Sequence, residues 1–242
     1  MSGTRKVIAV LGAGPGLGMS MARRFGREGF AVALVSRSAT RHDGYRAELG
    51  AIGVEARSYV ADVTDADQVR GVLARIATEL GEIDTVYSGP ASPDALGSLV
   101  PLPDADGAAV RVPFESVVVP AADLVAAVLP PLLARGGGAL FFAGGLSGVL
   151  PMPMLGALAP AAAALRMYVL TLHAALRERG VHAGILTIGG LIERGDIHQA
   201  FAARGGPLPG TLDPDEIAAA AWSMYVERDR AEATFDVLTP AA

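Results

Sequence analysis

Five apolar residues, Val7 to Leu11, run directly into Gly12-Ala13-Gly14-Pro15-Gly16-Leu17-Gly18, and a helical pattern follows without a break. A strand, a glycine-rich turn and a helix in that order commit the chain to a β-α-β arrangement, because parallel strands need a crossover connection, usually a helix. The spacing also points to a ligand. Gly12 permits the tight turn, Gly16 lets backbone approach a pyrophosphate, and Gly18 lets the helix pack against the strand. Backbone N–H groups of the turn, those of Gly14, Gly16 and Leu17 among them, then face the pyrophosphate at the positive end of the helix dipole.

The alternation continues along the chain. Apolar runs over 6–11, 31–36, 55–60, 83–88, 139–143, 183–188 and 234–238 read as strands, and patterns over 17–28, 66–80, 115–134, 157–179 and 215–227 read as helices. Seven strands alternating with helices predict an α/β fold: a Rossmann-like, doubly wound, seven-stranded parallel sheet with helices on both faces. No Ser/Gly-rich or charged linker interrupts the sequence, so residues 1–242 read as a single nucleotide-binding domain. The stretch 92–113, rich in Pro and Asp, is a surface excursion that either covers the ligand crevice or is an insertion.

Hydrophobic residues make up 51% of the chain and mean hydropathy is +0.40, which suits strands buried on both faces. A net charge of −5 argues against nucleic acid as a partner. The absence of cysteine excludes disulfides, thiol nucleophiles and thiolate metal sites, and four scattered histidines make no ligand cluster, so no metal is expected. His173, His182 and His198 are expected at the surface or at helix ends. Residues 136–172 carry one charge, Arg166, and are long enough to span a bilayer. Gly144, Gly145, Gly148, Pro151, Pro153, Gly156 and Pro160 would interrupt a spanning helix, so no membrane segment is expected. Met1-Ser2-Gly3-Thr4-Arg5-Lys6 leads into a strand without a signal-peptide pattern, which makes the cytoplasm the expected compartment.

The second strand ends at Ser36-Arg37-Ser38. An acid there would meet the ribose 2′-hydroxyl of NAD(H); Arg37, with Arg41 nearby, suits the 2′-phosphate of NADP(H) instead. The competing reading is an exposed arginine at a strand end. Asp62-Val63-Thr64 follows the third strand at the carboxyl edge of the sheet, where Asp62 can accept from an adenine amino group or cap the next helix.

Together these motifs resemble the short-chain dehydrogenase/reductase family over nearly the whole chain. The family's Thr-Gly-x-x-x-Gly-x-Gly is matched at Gly12, Gly16 and Gly18, with Leu11 in place of the threonine. Its Asp-Val dipeptide is matched at Asp62-Val63, and its passage into the fifth strand at Pro130-Pro131-Leu132-Leu133 and Gly136-Gly137-Gly138-Ala139-Leu140. Its Asn-Asn-Ala-Gly after the fourth strand reads Ser88-Gly89-Pro90-Ala91, and its Pro-Gly after the sixth reads Gly189-Gly190. The resemblance implies a nicotinamide cofactor, NADP(H) rather than NAD(H), with Gly89, Gly190 and Ile192 beside it.

The catalytic residues of the family do not carry over. Alignment on the fifth strand puts Gly145 at the family's serine, Leu158 at its tyrosine, Ala162 at its lysine, and Val117 or Val118 near its asparagine; none can exchange a proton. Anchoring on Ser147 or Tyr168 does not restore the set, and Lys6 is the only lysine in the chain. A positioned acid or base contributes on the order of 10²–10⁴ in rate, so another group must serve if the chain reduces carbonyls. The replacement candidates are Ser147, two positions beyond the serine slot, Tyr87 at the end of the fourth strand, and Glu193 with Arg194 after the Gly189-Gly190 turn. Glu193 and Arg194 could equally form a solvated surface pair. Tyr168, about 15 Å along its helix from Leu158 and about 80° round, reads as packing.

Three functions fit. They are an NADP(H)-dependent oxidoreductase with a non-standard site, a non-redox biosynthetic enzyme such as a cyclase, dehydratase or isomerase, and a catalytically silent nucleotide-binding regulator. The family's dimer helices match 115–134 and 157–179, which are Ala-rich and weakly charged here, so a homodimer or homotetramer is expected. Trp222-Ser223-Met224-Tyr225 is expected near the substrate crevice or a subunit contact.

Overall fold

The computed structural model describes residues 5–91 and 99–239. Strands β1 (Val7–Leu11), β2 (Ala31–Ser36), β3 (Ala56–Val60), β4 (Ile83–Ser88), β5 (Gly138–Gly145), β6 (Val181–Gly189) and β9 (Glu232–Asp236) form one sheet in the order β3-β2-β1-β4-β5-β6-β9. Every pairing in it is parallel. This is the doubly wound, Rossmann-like sheet that the strand–helix alternation predicts. The order reverses at β1, whose Leu11 lies between Val35 of β2 and Ser88 of β4. A crevice opens at such a reversal beyond the carboxyl ends of the strands.

The strand alternation divides the core. Val7, Ala9 and Leu11 face one layer, with α3 (Ala66–Glu79), α5 (Val119–Arg135) and α6 (Leu158–Leu176). Ile8 and Val10 face the other, with α1 (Leu17–Arg27), α2 (His42–Ala51) and α8 (Pro214–Glu227). Asp65, not Asp62, caps α3, accepting from the N–H groups of Asp67 and Gln68.

The sequence patterns miss five elements. Helix α2 carries a weak apolar stripe, and α7 (Asp196–Ala203) buries no residue, so periodicity has little to register in either. Two-residue strands β7 (Leu191–Ile192) and β8 (Thr211–Leu212) pair in parallel outside the main sheet. Part of the excursion is helical: α4 (Gly107–Pro113) runs through a π-helical turn at Phe114–Val118 into α5. Pro113 and Pro120 flank that turn, and each lacks the N–H that regular helical spacing requires.

Two corrections concern side chains expected elsewhere. Trp222 and Tyr225 stack on each other and pack edge-on against Phe25. The Tyr225 hydroxyl accepts from Lys6 Nζ at 2.6 Å and donates to Asp84 at 2.9 Å. These partners precede β1 and begin β4, so the segment is anchored at the amino edge, opposite the crevice. His182 is buried, not superficial; burial pulls its pKa down to about 4, so the ring stays neutral at pH 7.

Candidate functional site

The glycine turn is tied to the ends of both neighbouring strands. Gly12 and Ala13 donate to the Val35 carbonyl, and Gly89 donates to Leu11. Gly12 has φ +95°, and a Cβ there would lie 2.7 Å from the Gly89 carbonyl oxygen. A Cβ on Gly18 would lie 2.5 Å from the Gly12 carbonyl oxygen, so α1 packs directly against the turn. Among the described residues, no backbone or side-chain acceptor takes the N–H of Gly14, Gly16, Leu17 or Gly18. Gly14 stands in the open, with only an ordinary contact to Gly12. Unspent donors at the N-terminus of an eleven-residue helix fit a pyrophosphate.

The adenosine side lies beyond β2 and β3. Arg37 is exposed and has no ion-pair partner among the described residues. Asp62 accepts from the Thr64 N–H at 2.9 Å and hydroxyl at 2.8 Å. Those bonds, with help from the Arg37 charge, hold its carboxyl below the ordinary value. Val63 packs half-buried against the core. Arg41, unlike Arg37, is engaged: its Nη1 lies 2.8 Å from both carboxylate oxygens of Asp196.

The chain after β6 closes over the turn. A Cβ on Gly16 would lie 3.0 Å from Gly195 Cα and 3.1 Å from Ile192 Cγ2, so Gly16 and Ile192 meet. Gly190 packs against Val237 and Leu212. Glu193 and Arg194 do not pair with each other. Glu193 accepts from the Thr211 hydroxyl at 2.9 Å, and Arg194 bridges Asp213 and Asp215 at 2.9 and 2.8 Å.

At the positions where the family's catalytic groups would fall, Gly145 ends β5, Leu158 begins α6, and Ala162 lies one turn on. Ser147 is buried on the turn after β5, and a Cβ built at Gly145 would lie 3.4 Å from its Oγ. The Ser147 hydroxyl therefore lies in van der Waals contact with the space a side chain at 145 would enter. The same turn presses on α6, since a Cβ on Gly148 would lie 2.9 Å from the Ala162 carbonyl. Tyr87 is wholly buried, which pushes its phenol far above the ordinary range. A Cβ at Gly89 would collide with its hydroxyl. No hydrogen bond joins any two of Ser147, Tyr87 and Glu193 among the described residues.

Beside this turn lies an apolar cavity of about 180 Å³ lined by Leu146, Leu150, Pro151, Met152, Pro153, Met154, Leu238 and Thr239, without a charged side chain. The described part of the excursion covers the start of α6, where the Ala157 N–H donates to Val100 at 3.1 Å. The π-helical turn falls at Val117 and Val118. Among the described residues, no group of three or more His, Asp or Glu side chains could hold a metal ion.

A family model described as short chain dehydrogenase matches residues 6–194. An oxidoreductase of Sarocladium schorii is 24% identical over 90% of this chain and 87% of its own. Among solved structures, the L-sorbose reductase of Gluconobacter frateurii, complexed with NADPH and L-sorbose, superposes with a TM-score of 0.81 at 21% identity over 98% of each chain. A short chain oxidoreductase of Pseudomonas aeruginosa PAO1 described as containing an atypical catalytic center gives a TM-score of 0.83 at 21% identity, again over 98% of each chain. The glycine turn at the reversal of strand order and the match over residues 6–194 have one meaning: this chain belongs to the short-chain dehydrogenase family.

Proposed function

We propose that the protein binds NADP(H) along the carboxyl edge of its sheet and acts as an oxidoreductase on an apolar carbonyl or alcohol, without the family's usual proton-transfer residues. The observation that carries this reading is the pairing of unspent N–H donors at Gly14–Gly18 with an unpartnered Arg37 at the end of β2, where no acid stands. The first suits a pyrophosphate and the second a 2′-phosphate. NADP(H) would supply the hydride. The uncharged cavity lined by Leu146, Leu150, Met152 and Met154 suits an apolar substrate, and methionine side chains there adapt to varied shapes.

Of the three candidate groups, Ser147, next to the cavity-lining Leu146, is the one we assign to donate a hydrogen bond to a carbonyl oxygen. A serine hydroxyl is too weak an acid to give up its proton alone, so water supplies the proton that the reduced oxygen takes. Tyr87 is sealed from any substrate, and Glu193 is held by Thr211 on the far side of the Gly189-Gly190 turn. Catalysis on this plan is slow, by the factor that a positioned acid otherwise provides.

A second reading, a catalytically silent nucleotide-binding regulator, is favoured by Gly145, Leu158 and Ala162, which leave no proton-transfer group at the family's catalytic positions. A non-redox enzyme would use the same apolar cavity. Self-association is part of the proposal. Gly107–Arg135 and Leu158–Leu176 are apolar enough to cross a membrane, yet each lays one face on the sheet and leaves an apolar outer face for a second copy.

Calorimetric titration with NADPH and with NADH tests the cofactor. Micromolar binding that favours NADPH is expected, and no binding of either overturns the proposal. NADPH consumption with medium-chain aldehydes and ketones then separates a slow reductase from a silent binder.

A further inference from the structure

Strand β2 delivers Ser36 to the carboxyl edge of the sheet, and His42 begins α2 a short loop later. That loop carries Arg37 and is closed from within. The Ser36 hydroxyl donates to the Ser38 carbonyl at 2.9 Å, which bridges the backbone on either side of Arg37. His42 Nε2 lies 2.7 Å from the same hydroxyl. A hydroxyl has one proton and a carbonyl can only accept, so the Ser36 proton is spent on Ser38. The proton in the second bond is therefore the ring's. Burial, with the Arg46 charge, holds the His42 pKa below 6.5 against the pull of Asp43, so at pH 7 the ring is neutral with its one N–H on Nε2. The His42 side chain is buried at the base of the loop, and its backbone N–H donates to Ala39 at 2.9 Å. Ser38 and Thr40 pair their hydroxyls at 2.6 Å. Arg37, exposed and without an ion pair among the described residues, is the side chain that this frame presents.

We infer that His42 is a positioning residue for the arginine that reads the 2′-phosphate: by donating to Ser36 it locks the Ser36–Ser38 bridge, fixes the backbone at Arg37, and so sets how strongly NADPH is preferred to NADH. This rests on the NADP(H) reading above. Arg37 has no ion-pair partner among the described residues to orient it before a phosphate arrives, so the order it has comes from its backbone. An arginine that starts from a fixed backbone loses less freedom when it closes on a phosphate. NADH brings no 2′-phosphate and gains nothing from this order. The histidine touches neither dinucleotide in this scheme, and its effect passes through Ser36.

His42→Phe keeps a ring in place and removes the donor. It should weaken NADPH about fivefold, the scale of one net hydrogen bond, and leave NADH unchanged. His42→Gln carries an amide N–H the same number of bonds from Cα as Nε2 and should restore NADPH affinity, which a packing role for the ring would not give. Ser36→Ala, a small change that leaves the ring untouched, should match His42→Phe, and the two together should lose no more than either alone. NMR of the ring nitrogens in the ligand-free protein reads the donor directly. A neutral ring protonated on Nε2 is expected, and protonation on Nδ1 overturns the inference independently of any cofactor. Native preference for NADPH that survives undiminished in His42→Phe and Ser36→Ala, or equal losses of NADPH and NADH in them, also overturns it and leaves the cofactor assignment intact. A native protein that binds neither dinucleotide, or prefers NADH, overturns the cofactor assignment, and the role of His42 falls with it.

Discussion

Replacing Arg37 by alanine removes a charge whose role is visible in its surroundings. It makes no ion pair among the described residues, so truncation breaks no internal contact and should leave thermal stability unchanged. Its charge acts on Asp62, and there its influence is smaller than that of the two Thr64 hydrogen bonds. Asp62 therefore stays ionised in the variant, and the adenine side of the crevice is unaltered. What is lost is one guanidinium–phosphate interaction. Hydrogen bonds to charged groups are worth about 1.5–3 kcal/mol, and solvent exposure places this one at the low end, so about a tenfold loss of NADPH affinity is expected. NADH should bind as before. Calorimetry at two salt concentrations measures both, and the NADPH difference should shrink at the higher one. Equal losses for the two dinucleotides, or a loss confined to NADH, would refute the assignment of Arg37 to a 2′-phosphate.

Three further outcomes are expected. Tyr225→Phe strips a hydroxyl shared by Lys6 and buried Asp84, costing about 2 kcal/mol, or about 4–8 °C in Tm by calorimetric scan. The same group sets the alkaline limit. Partial burial pulls the Lys6 pKa down, but Tyr225 and Asp84 outweigh it and hold the ammonium above 10.5, while burial holds the Tyr225 phenol above 10.0. Both folded values are raised, so this stability is complete below about pH 10 and falls as pH climbs through them; a Tm–pH series should flatten in Tyr225→Phe. At the acid end, burial pushes Asp215 up, but hydrogen bonds from Ser20, Arg194 and Arg23 bring it down to about 2. Its contribution is present above pH 4 and lost toward pH 2, a decline that Asp215→Asn should remove.

The parts of this fold written in apolar periodicity are legible in the chain. Strands β1, β2 and β4 fall where the strand patterns put them to within a residue, because nearly every position in them is buried on both faces. Edge strand β9 is displaced by two residues, since its half-exposed pattern marks no clear boundary. Helix α7 escapes notice for a different reason: what holds it is a set of ion pairs between residues far apart in sequence. The glycine turn is readable because each glycine answers a local geometric need. The partner of Arg41 and the neighbour of Gly145 are not, because they depend on how the chain after β6 folds back and how the turn after β5 curls.

The packing of Tyr87 against Gly89 reaches beyond the present molecule. Because the phenol fills the volume that any side chain at 89 would need, the tyrosine limits what position 89 can hold. A lineage carrying this tyrosine cannot accept an asparagine at 89 alone; the tyrosine must shrink first, and that step opens a cavity beside Phe141 in the core. The exchange passes through a destabilised intermediate in one order and a steric clash in the other. The constraint runs one way: relatives of this chain that keep the tyrosine should keep the glycine, a pattern that sequencing of its near kin can check.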